Sequence, residues 1–191
     1  VSALAKPPMS LEAFLEWERR QELRYEFDGI RAVAMNGGTI AHSEIGTNIV
    51  EALRRRLRGG PWRAFRGDLK VIVSGRVRYP DAIVTCSPVA NNVDIVPDPV
   101  VVFEVLSPST AGVDRIVKNA EYEAAKSIRH YVMLEQAAIA ATVFSREGTE
   151  WRGRLVRADA VLAFPELAIE VPLREFYDGL AIPQEMPEQE F

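Results

Sequence analysis

Asp81 follows Pro80 at the head of the apolar run "DAIV", and Glu104 interrupts the run "VVVFEVL". An ionised carboxylate inside an apolar strand is costly unless it is paired or bound to a cation. Two carboxylates on adjacent strands can share a hard divalent metal, whose preferred ligands are oxygens. Glu26, between Tyr25 and Phe27, is a third candidate, and Asp68 in "RGDLK" ranks behind these three. Asp114 and Lys118 lie one helical turn apart on the segment after Glu104, and Tyr122 continues their stripe. His42 stands at the head of a helical stretch. Each of these also has an ordinary structural role open to it. Asp81 can start a strand, Glu104 can pair with an arginine, and Asp114–Lys118 can be a solvated pair. Glu26 can flank a turn, and His42 can neighbour a helix cap.

The elements around these residues follow from periodicity. Ser10 caps a helix in "SLEAFLEWERRQEL", with Glu12 near its positive end. Asp28-Gly29 divides "RYEFDGIRAVAM" into a hairpin that places Glu26 opposite Tyr25 and Phe27. "IAHSEIGTNIVEALRRRLRG" is a second helix with Ile45, Ile49, Leu53 and Leu57 as its stripe, ended by Gly59-Gly60. Strands are expected over Trp62–Phe65, Leu69–Val73 and Val77–Val84, then a loop over Ser87–Pro99 and a central strand over Val100–Leu106. A helix in "STAGVDRIVKNAEYEAAK" offers Val113, Val117, Ala120 and Ala124 as the face that packs on the sheet. "HYVMLE" and "IAATVFSRE" are strands, "WRGRLVRAD" an edge strand, and "PLREFYDGL" a short helix. The order points to an α/β or α+β domain with a mixed sheet and helices on its faces.

Composition narrows the function classes. The chain has 191 residues and a formal charge of −4, which suits one domain and argues against a non-specific cationic coat for nucleic acid. Cys86 is the sole cysteine and there are two histidines, so an internal disulfide is excluded and a structural zinc disfavoured. Cys86 is expected to be an inert buried thiol, and Phe14, Trp17 and Phe176 to be core. No apolar run reaches membrane-spanning length, and "VSALAKPPMS" is too short and proline-broken to read as a signal peptide; the lone Cys86 makes a reducing cytoplasm the expected compartment. Arg54, Arg55, Arg56 and Arg58 form the densest basic run, read as a solvated helix face in preference to phosphate contacts.

Taken in order, "YEFDGIRAVAM", His42, "YPDAIV", "VVFEVLSPST" and "DRIVKNAEYEAAKSIRHYVML" resemble a bacterial family of restriction-endonuclease-like proteins, once catalogued as a domain of unknown function, within the PD-(D/E)xK nuclease superfamily. The resemblance covers roughly Ser10 to Leu180. It implies a restriction-endonuclease-like fold, a central mixed β-sheet flanked by helices, over residues 10–180, with an extension at 1–9 and a tail at 181–191. It implies metal-dependent hydrolysis of phosphodiester bonds, with nucleic acid, DNA first, as partner, no membrane, and homodimers in view. The family's Pro-Asp falls on Pro80-Asp81 and its strand acid on Glu104. The superfamily's lysine, two residues after that acid, falls on Leu106, whereas the family's own pattern carries a lysine at the Lys118 position. By this resemblance Asp81, Glu104, Glu26 and the Val105 carbonyl hold Mg2+, or Mn2+ in its place. Lys118 orients the attacking water or stabilises the transition state, and His42 contacts a phosphate or the leaving group. The competing expectation is a nucleic-acid-binding or assembly protein that kept the fold without the chemistry, favoured by Leu106 and the net charge.

Overall fold

The computed structural model describes residues 9–35, 37–107, 112 and 114–182. Most of the expected N-terminal extension and C-terminal tail, the Ser109-Thr110 end of the strand motif, Val113 and the Asp114 side chain lie outside the described residues.

Ser10 caps helix α1 (Leu11–Glu18), its Oγ accepting from the Ala13 N–H at 3.2 Å. The hairpin of β1 (Tyr25–Phe27) and β2 (Ala32–Ala34) closes where Asp28 Oδ1 accepts from the N–H groups of Ile30 and Arg31, both at 2.8 Å. Gly29 supplies the positive φ of 93° that this turn needs. Thr39 caps the long helix α2 (Ile40–Leu57), with Ile45, Ile49, Leu53 and Leu57 buried as expected. Then come β3 (Arg63–Arg66), β4 (Val71–Val73), β5 (Arg76–Arg78), β6 (Ala82–Thr85) and β7 (Val101–Val105). A π-helical turn (Asp114–Lys118) leads into α3 (Asn119–Ala124). Strands β8 (His130–Leu134), β9 (Ala140–Glu147), β10 (Glu150–Arg157), β11 (Val161–Phe164) and β12 (Ile169–Pro172) follow, then a 3-10 turn at Leu173–Tyr177.

Six strands in the order β10-β9-β8-β7-β6-β3 form the central sheet. It is mixed because β7 and β8 run parallel while its other neighbours are antiparallel. One face carries Val101, Phe103 and Val105 against α2, the β11-β12 hairpin and the 3-10 turn. The other carries Ile83, Val102, Tyr131 and Met133 against Val71, Val73 and Tyr122. A smaller antiparallel sheet, β2-β1-β5-β4, packs with α1 through Phe14, Phe27, Val77 and Tyr79. Burying each such large apolar side chain stabilises the fold by about 1.5–3 kcal/mol.

Several elements differ from the sequence expectation. The run from Val77 to Val84 is two strands in two sheets, divided at Tyr79–Asp81. Pro80 has no N–H for a ladder, so the chain changes sheets there. The α3 region presents the opposite face. Val117, Ala120 and Ala124 are exposed, while Lys118, Glu121 and Tyr122 are buried. The interior beneath it holds carboxylates, and these require cationic partners. Cys86 is exposed. Trp17 is half-buried, whereas Phe14 and Phe176 are core. The segment "PLREFYDGL" is a 3-10 turn, and the β11-β12 hairpin carried no signal strong enough to be expected. Among the described residues no helix is long and apolar enough to cross a membrane.

Candidate functional site

The junction of the two sheets gathers the candidate side chains. Ala82 stands opposite Phe103 across β6 and β7. Continuing that antiparallel register by one residue sets Asp81 opposite Glu104. Asp81 Oδ2 accepts the Val105 N–H at 2.6 Å, and Asp81 Oδ1 lies 2.6 Å from His42 Nε2. His42 reaches it from the first turn of α2. Two close approaches pack this pair. A Cβ at Gly38 would stand 3.0 Å from the His42 ring, and one at Gly67 would stand 3.1 Å from the Pro80 carbonyl oxygen.

Strand alternation turns Glu104 to the face shared with Val102, beneath α3. There Lys118 Nζ donates to Glu104 Oε1 at 2.9 Å, and the Tyr122 hydroxyl donates to the same oxygen at 3.2 Å. Lys118 Nζ also lies 3.1 Å from Glu26 Oε1. Lys118 therefore bridges the two acids from the helix, while Leu106 is buried in the apolar cluster.

Three residues that sequence reasoning passed over extend the network. Arg78 donates to Glu26 Oε2 at 3.0 Å and grips both oxygens of Glu121 at 2.7 Å each. Arg76 Nε reaches Glu121 Oε1 at 3.1 Å. Arg78 and Glu121 are 3% and 4% exposed, so both are effectively inside the protein. Burial alone would lower the Arg78 pKa, but the hydrogen bonds and charges of Glu121 and Glu26 outweigh it and raise it. Burial, and then the Glu104 and Glu26 charges, push the Tyr122 phenol well above its ordinary range. Tyr122 is thus a hydrogen-bond donor to Glu104. A sequence signal for Glu121 existed: it lies three residues from Lys118, on the same turn. Arg78 had none, since its partner is 43 residues away.

One candidate stands apart. Asp68 is exposed in the turn after β3, outside the cluster. Val105 enters the site through its N–H.

The oxygens of Asp81 and Glu104 suit a hard cation by their chemistry. Among the described residues no three His, Cys, Asp or Glu side chains stand close enough to hold a metal by themselves. A small hard cation that keeps its waters and takes one or two carboxylates plus phosphate oxygens matches such a pair.

Compared with known proteins, residues 11–174 match the pattern of the Uma2 family, described as "Putative restriction endonuclease". An uncharacterized protein of Synechocystis is 28% identical over 179 residues, covering 92% of this chain and 94% of that one. The crystal structure of "a putative nuclease belonging to DUF820 from Anabaena variabilis" superposes with a TM-score of 0.73. It is 18% identical, with 88% of this chain and 97% of that chain covered, a likeness of fold.

Proposed function

Because the chain belongs to the Uma2 family, described as "Putative restriction endonuclease", we propose that it is a divalent-metal-dependent nuclease that hydrolyses phosphodiester bonds of DNA. The observation that carries this is Lys118. Its ammonium reaches Glu104 from the helix at 2.9 Å, while the strand position two residues after Glu104 is Leu106.

Asp81, Glu104 and the Val105 carbonyl are the residues that would hold Mg2+, with Mn2+ as its substitute. When bound, such a metal polarises the scissile phosphate and lowers the pKa of a coordinated water. Lys118 stabilises the charge that builds on the phosphate. Glu26 meets Lys118 at 3.1 Å and would be a further metal ligand, directly or through water. His42 orients Asp81 through Nε2.

The test is cleavage of plasmid and oligonucleotide substrates with Mg2+ or Mn2+. Wild type is expected to cut, and Asp81→Ala and Glu104→Ala to abolish cutting. Lys118→Met should lower turnover far more than metal affinity. Absence of wild-type cleavage on any DNA or RNA, or full activity in both alanine variants, refutes the proposal. A second reading, a nucleic-acid-binding or assembly protein without catalysis, has one observation in its favour. Asp81 and Glu104 are already bonded to donors within the protein. Calorimetric titration separates the two, because a site without chemistry binds Mg2+ and Mn2+ weakly or not at all.

A further inference from the structure

The basic run at the end of α2 is divided by the fold. Arg56 grips Glu175 through two nitrogens, at 2.9 and 2.6 Å, and Arg55 reaches the same carboxylate at 2.5 Å. Arg54 turns the other way, and its Nε donates to the Ala64 carbonyl of β3 at 3.0 Å. There it stands beside two arginines of β3 itself, Arg66 on the face toward α2 and Arg63 on the opposite face with Phe65. Arg66 Nη2 donates to Ser43 Oγ at 3.2 Å. Arg63 Nη1 donates to the Val89 carbonyl at 3.2 Å, with its guanidinium 4.8 Å from the Phe65 ring centre.

Arg54, Arg63 and Arg66 are all exposed, and each is bonded to a neutral acceptor. Among the described residues no carboxylate forms an ion pair with them. Arg76, Arg78, Arg115 and Arg129, by contrast, each meet one. The α2 stripe beside them, Ser43, Thr47, Val50 and Arg54 at i, i+4, i+7 and i+11, contains no acid. Strand β3 is the sheet edge. Charged residues on an edge strand discourage sheet-to-sheet pairing. That role covers Arg63 and Arg66 but not Arg54, which belongs to the helix.

The position of this edge relative to the site is the decisive feature. Arg66 pairs in register with Ala82, the residue after Asp81. Its partner Ser43 follows His42, which holds Asp81. Each guanidinium has five N–H donors, so most stay available, and their planar fork matches phosphate oxygens. We propose that the α2–β3 edge is the track for a nucleic-acid backbone, with Arg66 nearest the carboxylates and Arg54 and Arg63 beyond it. The placement rests on the nuclease reading, but the track itself is a claim about binding.

The experiment is fluorescence anisotropy of labelled duplex and single-stranded oligonucleotides of several sequences, with a chelator present so that nothing is cut, over a range of salt. Replacing Arg54, Arg63 or Arg66 with Gln should each reduce the slope of log affinity against log salt by about 0.9 on duplex. The triple variant should lose about 2.7 of that slope. Binding should weaken equally for all sequences, because phosphate contacts position without specifying. The three Arg→Lys variants should keep most of the slope, and Arg152→Gln, on the distant β9-β10 hairpin, should keep all of it. Thermal melting checks that each variant is folded. Wild type that binds while the triple variant keeps its slope overturns the track and leaves the nuclease reading standing. Arginine-dependent binding, together with no cleavage of the same oligonucleotides when Mg2+ or Mn2+ replaces the chelator, supports the track and overturns the nuclease reading. Wild type that binds no nucleic acid overturns both.

Discussion

Replacing Arg78 with Met tests whether the charges buried between the sheets behave as a unit. Arg78 is 3% exposed and holds Glu121 through two 2.7 Å bonds and Glu26 through one of 3.0 Å. Its removal leaves two carboxylates short of a partner inside the protein. Breaking a buried ion pair in this way costs about 3–5 kcal/mol. Arg76 still reaches Glu121 and Lys118 still reaches Glu26, both at 3.1 Å. The lower end, about 3 kcal/mol, is therefore expected. In a domain of this size each kcal/mol moves the melting midpoint by roughly 2–4 °C, so the shift is about 6–12 °C. The double variant Arg78→Met/Glu121→Leu removes the stranded acid as well. Apolar replacement of a whole buried pair is often neutral or stabilising, so the double variant should be about 1–2 kcal/mol more stable than Arg78→Met alone. Urea denaturation of wild type, both single variants and the double variant measures this coupling. A single-variant cost below about 1 kcal/mol, the range of an exposed pair, refutes the reasoning. So does a double variant whose loss equals the sum of the single losses.

Other expectations follow from individual contacts. Gly67→Ala sets a methyl group 3.1 Å from the Pro80 carbonyl oxygen and 3.2 Å from Asp81 Cα. It should cost about 1–3 kcal/mol by overpacking and reduce any metal-dependent cleavage, measured by melting and by rate. Gly46→Ala, within α2 and with no atom within 4 Å of the new methyl, should instead stabilise by about 0.5–1 kcal/mol, read by urea denaturation. The Arg56 hydrogen bond holds the Glu175 carboxyl below its usual range. The linked stability is present above the unfolded-state value of about 4.3 and is lost as pH falls through the folded value. Arg56→Met should flatten that acid loss in denaturation midpoints followed downward from about pH 6. Tyr122 should stay protonated through the range where an exposed phenol ionises, about pH 10, so its share of the ultraviolet phenolate signal appears only on unfolding.

Much of the fold is legible because the signals are local. The Asp28-Gly29 turn, the Ser10 cap, the α2 stripe and the continuous β-branched run before Glu104 each specify their element within a few residues. Asp81, Glu104 and Lys118 were visible as polar groups against apolar surroundings. The α3 region misled because its exposed residues are the apolar ones. Ile116 and Val117 face outward, since the acids below recruit Lys118 and Glu121. Here pairing of buried charge outweighs hydrophobic periodicity. The division at Tyr79–Asp81 was hidden because both flanking runs are good strands, and only tertiary pairing assigns them to different sheets. Arg78 shares that difficulty: its burial depends on Glu121 from a remote helix.

Three residues carry the chain from the smaller sheet to the larger, and they end on Asp81. Glu26 and Arg78 belong to one side of that crossing, Asp81 and Glu104 to the other. A chain whose smaller sheet has not docked keeps both strand acids but lacks Glu26, one of the two carboxylates that hold Lys118. Under the proposed activity, the Lys118 site is complete only once the smaller sheet has docked on the larger one.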